Sequence, residues 1–194
     1  MSSVRRNEIS YYSDITKFIE AQIMSNFRAK NININVYWKI GEFTKSLYEL
    51  VLEHPSECSC LKNFINNTPA LNLDIFGVVT DGRKFQIIIL EVKLKNAVGL
   101  SEWSQLLGYS VVSDARYGIL LNIDAGASQR LTDILCRKLD ASRIVRKSQS
   151  GCKVEHLLGF MQWNSLTKNF EYSNLGRLRS ISELSDMLLK DFCI

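Results

Sequence analysis

Proline is nearly missing, with two residues in a chain of 194, and glycine numbers only ten. Collagen-like and proline-rich low-complexity chains are thereby excluded. No apolar run approaches the ~20 residues that a membrane span requires. The start, Met1 to Glu8, carries charge without an apolar stretch behind it, so no signal peptide is expected. Histidine is scarce: His54 and His156 leave little room for a histidine metal cluster. The five cysteines are an odd number, and Cys58 and Cys60 flank a single residue, tighter than zinc-knuckle spacing. Reduced thiols in an intracellular, cytoplasmic protein are expected, with a Cys58–Cys136 bridge as the alternative. Charge of either sign is in small excess only. The 24 Lys and Arg against 20 Asp and Glu leave +4, which permits a nucleic-acid partner without demanding one.

What is present reads as one soluble domain, 46% hydrophobic and 23% charged. Ile9, Tyr12, Ile15, Phe18, Ile19, Ile23 and Phe27 recur at helical steps and predict a helix over 8–28. Residues 31–40 alternate as a strand, and 43–53 read as a second helix. Residues 54–70 hold both prolines and read as loop or short irregular helix. Two β-rich runs, 71–79 and 85–94, flank Asp81-Gly82 and predict a hairpin. A helix at 99–113, a strand at 117–123 and a helix near 127–139 follow. Strands at 154–163 and 168–172 and a closing helix at 180–191 complete the chain. The order implies an α/β protein with a mixed central sheet flanked by helices. Residues 125–194 would complete the sheet or form a dimer or DNA surface.

The hairpin carries the chemistry. Asp74, Glu91 and Lys93 interrupt strands that are otherwise apolar on both faces, where charge is costly unless paired or bound to a cation. A loop at Asp81-Gly82 pairs Asp74 with Ile89; a loop at Gly82-Arg83 pairs it with Glu91. Either register puts the three charged residues on one face. Two carboxylates with one ammonium, without histidine or thiolate, suit Mg²⁺ or Mn²⁺. Such an ion polarises a phosphodiester and acidifies bound water, while Lys93 orients that water or stabilises developing charge.

At these residues, Leu-Asn-Leu-Asp74 and Ile-Leu-Glu91-Val-Lys93, the chain resembles the PD-(D/E)xK nuclease superfamily, with its restriction-endonuclease-like core, over roughly 8–124. Leu73 stands where the motif's name has proline. The resemblance implies Asp74, Glu91 and the Val92 carbonyl as metal ligands and Lys93 as the catalytic lysine. It implies a supporting glutamate on the first helix, Glu8, with Glu20 as the alternative. Gln105 and Tyr109 are similar to the Gln-x-x-x-Tyr pattern of RecB-type nucleases, and Gln105 would bond Glu91, Lys93 or a substrate phosphate.

A basic segment, 128–153, carries Arg130, Arg137, Lys138, Arg143, Arg146, Lys147 and Lys153 against Asp133 and Asp140. It reads as a mobile loop gripping phosphates through Arg143, Arg146 and Lys147. The expectation is a metal-dependent DNA nuclease that is structure-selective, junction-resolving or RecB-like. It would act as a homodimer, and its resemblance extends to small nucleases of archaeal viruses. The alternatives are a DNA-binding or assembly protein that keeps the fold without turnover, and an RNA nuclease on the same core.

Overall fold

The computed structural model describes residues 7–147 and 153–193. Helix α1 (Ile9–Arg28) precedes strand β1 (Asn35–Glu42) and helix α2 (Phe43–Glu53). A single 3-10 turn and the short α3 (Lys62–Ile65) lead to β2 (Asn72–Thr80) and β3 (Phe85–Lys93). Then come α4 (Leu100–Val112), β4 (Tyr117–Ile123) and α5 (Gln129–Arg137). Strands β5 (Arg143–Lys147), β6 (Lys153–Asn164) and β7 (Asn169–Glu171) precede α6 (Ile181–Cys193). The seven strands form one mixed sheet in the order β1-β2-β3-β4-β6-β5, with β7 on β6. β1, β2 and β3 are an antiparallel meander, and β4 and β6 run parallel to β3. The mixed α/β architecture expected from the sequence is therefore present.

Strand parity sorts the core into two layers. Ile75, Val79, Ile88, Leu90, Val92, Ile119 and Leu121 pack against α1 and α6. Phe76, Val78, Ile87, Ile89 and Leu120 pack against α2, α4 and α5 through Leu47, Leu50, Trp103, Leu106, Leu131 and Leu135. Each fully buried aliphatic or aromatic side chain stabilises by roughly 1.5–3 kcal/mol. Glu91 and Lys93 continue the parity of the second layer, whereas Asp74 lies at a bulge of β2, between Leu73 and Phe76, which both face that layer.

Two sequence expectations need correction. Residues 143–147 are not a mobile loop: β5 is an edge strand paired antiparallel with β6. Residues 148–152 lie outside the described part. The Cys58–Cys136 bridge is not formed, since Cys58, Cys60, Cys136 and Cys193 are all free. Strand β1 begins later than the alternation suggests: residues 29–31 form the turn leaving α1 and 32–34 are irregular.

Glycine is required where the segment after β7 crosses β6. A Cβ on Gly159 would lie 1.9 Å from the Leu178 carbonyl oxygen. The facing Gly176, bridged to it, has φ +90°. No side chain fits between two backbones at that separation.

Candidate active site at the carboxyl end of the central strands

The hairpin adopts the second of the two possible registers, with Thr80 opposite Phe85 and Ile75 opposite Leu90. Asp81 sets the turn by accepting the Arg83 and Lys84 amides at 2.9 and 2.8 Å, and Gly82 takes φ +86°. That register aims Asp74 at Glu91. The regular pairing stops at Ile75–Leu90, and the Val92 amide donates instead to Asp74 Oδ2 at 3.0 Å. An extended residue's N–H and C=O point the same way, so the Val92 carbonyl faces the same gap.

Lys93 Nζ lies 3.1 Å from Asp74 Oδ2 and 2.5 Å from Glu91 Oε1. The Glu91 side chain is 1% exposed, against 28% for Asp74 and 14% for Lys93. The Lys93 approach to Glu91 is off the hydrogen-bond axis, and neither carboxylate oxygen has an aligned donor. Burial pushes the Glu91 carboxyl up to about 7; Lys93 pulls it back, and Asp74 and Glu8 raise it further. Burial alone would lower the Lys93 ammonium, yet Glu91 and Asp74 outweigh it and hold Lys93 above its usual range. Lys93 is thus a permanent cation, suited to donating hydrogen bonds and stabilising charge rather than to accepting a proton.

The first turn of α1 reaches this end of the sheet. Glu8 Oε1 accepts the Leu94 amide at 2.9 Å, directly after β3. Glu20 lies twelve residues farther along α1, about 18 Å along its axis, so Glu8 is the helix carboxylate at the cluster. Tyr12, one turn on from Glu8 and 5% exposed, stands in the field of the same groups. Burial raises its phenol well above the usual range, and Asp74 and Glu8 add to the rise. The sequence reading took Tyr12 as a plain apolar position. Its four-residue spacing from Glu8 was the available signal.

Asn122 was also missed. It is fully buried at the end of β4, level with Lys93. Its amide group donates to the Lys95 and Gly126 carbonyls at 2.9 and 3.1 Å, and its oxygen accepts the Lys95 amide at 3.2 Å. It clamps the segment leaving β3 to the segment leaving β4. A lone polar residue in an apolar strand was the clue. Beyond it, Glu102 accepts the Gly99 amide at 2.8 Å and pairs with Lys95, which together hold its carboxyl down at about 2.

Other expected site residues stand elsewhere. Gln105 donates to Tyr109 Oη at 3.0 Å. No bond from it to Glu91 or Lys93 is found among the described residues. Arg143 is paired with Glu155 at 2.5 Å. Arg146 is held by Asp114, by His156 Nε2 at 3.1 Å and by the Val111 carbonyl at 3.2 Å. These bonds make the two arginines structural within β5 and its neighbours. Register also places them far from the carboxylates. Glu91 is level with Leu120 and Phe160, whereas Arg143 faces Leu157 and Lys147 faces Lys153. Lys147 is therefore about 23 Å along the strands and about 14 Å across them from Glu91.

Among the described residues, no group of three or more His, Cys, Asp or Glu side chains could by itself hold a metal ion. The donor set fits one hard cation only in a sparser way. It offers Asp74, the buried Glu91 carboxylate beside Lys93 and the Val92 carbonyl, leaving waters and phosphate oxygens to complete the shell. No helix among the described residues is long and apolar enough to cross a membrane. Comparison of the chain with protein-family models, with curated proteins and with solved structures gives no match.

Proposed function

We propose that this protein is a divalent-metal-dependent nuclease that hydrolyses phosphodiester bonds in DNA. One observation carries the reading. Glu91 is completely buried, lacks an aligned donor and shares its pocket with Asp74 and one ammonium. A buried carboxylate left this way is costly unless a ligand completes it. Mg²⁺ or Mn²⁺, held by Asp74, Glu91 and the Val92 carbonyl, would polarise a phosphate oxygen and lower the pKa of bound water. Lys93 would donate to the attacking water or to the phosphate, and its permanent charge offsets the charge that builds up on phosphorus oxygens. Asp74 keeps Lys93 aligned and locks the Val92 amide, while Glu8 fixes the chain just beyond the lysine. The order around these residues, helix, strand, helices, hairpin, helix and strand, is compatible with the nuclease superfamily the sequence resembles.

A symmetric dimer, which two-strand cleavage would use, belongs to the same proposal and is tested by sedimentation of the free and DNA-bound chain. So does a cytoplasmic setting, with which the free thiols agree. One observation favours a second reading, a DNA-binding or assembly protein without turnover: the described residues hold no ready-made metal group of three side chains.

Supercoiled, linear, branched and single-stranded DNA, and RNA, incubated with Mg²⁺, Mn²⁺ or EDTA, separate these readings. Cutting that needs the metal and disappears in Asp74→Ala, Glu91→Ala and Lys93→Ala supports the nuclease. Tight binding without cutting under any metal overturns it in favour of the second reading. Cutting of RNA alone overturns the choice of DNA.

A further inference from the structure

Beside the charged cluster the surface opens into a cleft of about 310 Å³ between α1 and β1. Ile9, Tyr12 and Thr16 form one wall, Trp38 and Ile40 the other, and Ile75 the floor. Its shape follows from two local features. Gly77 faces Trp38 across β1 and β2, and a Cβ there would come within 2.6 Å of the indole, so the glycine lets the ring lie flat on the sheet. At a bulge on β2, Asp74 and Ile75 together oppose the single residue Ile40 of β1, which sets Ile40 beside the mouth of the cleft. Ile40 and Ile9 are 55% and 63% exposed. Two large aliphatic side chains thus stand in water around an aromatic wall, and Trp38 Nε1 has no hydrogen-bond partner.

We infer that this cleft receives an unpaired nucleobase, so that the substrate carries an unstacked nucleotide beside the phosphate that is cut. The inference rests on the phosphodiester reading above. The cleft lies on the α1 face of the sheet and adjoins the cluster at the end of β2, without sharing a lining residue with it. Tyr12 is a wall of one and stands in the field of Asp74, Glu8 and Glu91 in the other. Ile9 follows Glu8, which bonds the Leu94 amide next to Lys93, and Ile40 lies across from Asp74 and Ile75 in the register of β1 and β2. An occupant must therefore be flat and uncharged where it meets Trp38 and Ile40, yet anionic within one helical turn of that point. A nucleotide has that form, its base stacking on aromatic and aliphatic side chains while its phosphate stays with the cation site. A paired base cannot enter without leaving its stack, so the cleft selects unpaired positions.

The test uses the full chain with Ca²⁺ in place of Mg²⁺ and three DNA probes. One duplex has a single unpaired 2-aminopurine, one has an abasic site at that position, and one is fully paired. The wild type binds the first about tenfold more tightly than the others and quenches its fluorescence. The double variant Ile9→Ser, Ile40→Ser, altered only at exposed positions, binds all three alike. Equal wild-type affinities, or a preference that survives the double variant, overturn the inference. Dimerisation that the same variant abolishes assigns the cleft to a second copy and also overturns it. Repeating the panel with Mg²⁺ keeps the two proposals apart. Cutting without preference for the unpaired base leaves the nuclease and removes the cleft, whereas preference without cutting leaves the cleft and removes the nuclease.

Discussion

At the end of the sheet where the hairpin turns, Arg116 faces Asp191 and Glu155, and Arg143 faces Glu155. There too Tyr117 donates to Asp191 at 2.6 Å and Lys84 to the Asp191 carbonyl at 2.7 Å. At the other end, two carboxylates share one lysine and the more deeply buried of them has no aligned donor. Both ends are rich in charge. The first has the pattern of a structural network, in which two arginines, a lysine and a phenol gather around Asp191 and Glu155 and tie α6 or β5 to the sheet. The second has more carboxylates than cations, and burial together with Asp74 and Glu8 raises the Glu91 carboxyl against the pull of Lys93. A charge cluster is therefore read by the balance of its charges and their burial, not by how many it contains.

Substitutions that exploit this contrast should have unlike consequences. The largest effect is expected for Glu91→Gln: cleavage falls at least about 100-fold. At pH 8 the variant is also more stable than the wild type, by on the order of 1–3 kcal/mol in urea unfolding. The sign follows from the raised carboxyl. Between its ordinary value and about 7 the folded chain holds a proton that the unfolded chain has lost. Stability from this group is accordingly present at low pH and fades as pH rises through about 7. Glu91→Gln removes that slope. A variant that loses both activity and stability would place Glu91 with the structural charges instead.

Arg146→Ala should do the reverse, costing about 1–3 kcal/mol by stranding Asp114 and His156 while leaving cleavage within about twofold. Loss of DNA affinity without loss of stability would return Arg146 to the footprint. Lys147→Glu should leave the salt dependence of DNA affinity unchanged, since it lies at the far end of the strands from Glu91. Smallest of all, Gln105→Ala should shift stability by less than about 0.5 kcal/mol and cleavage by less than about threefold, because Gln105 is exposed and bonded to Tyr109.

Much of this was legible in the chain. The apolar periodicities of α1 and α2, the hairpin and α4 are local signals, and parity alone placed Asp74, Glu91 and Lys93 on one face. Which of two registers the hairpin takes depends on a turn one residue long in its shift, and Asp81 decides it through two side-chain bonds. Strand β5 was hidden because Arg143, Arg146 and Lys147 look like a solvated loop. Their charges are matched by Glu155 and Asp114, residues distant in sequence. The bulge at Asp74 and Ile75 and the lie of Trp38 on Gly77 are likewise products of packing between strands. Asn122, which acts through backbone contacts at Lys95, carries no spacing signature, and Glu8, bonded to the Leu94 amide, was expected only through the family resemblance.

The most direct measurement is calorimetric titration of the full chain with Mn²⁺ at pH 8 and pH 5.5, beside Asp74→Asn and Glu91→Gln. One ion per chain should bind at pH 8, more weakly at pH 5.5 as Glu91 takes up its proton, and to neither variant. No heat of binding by the wild type, or equal binding by both variants, would contradict the assignment of this cluster to a metal ion.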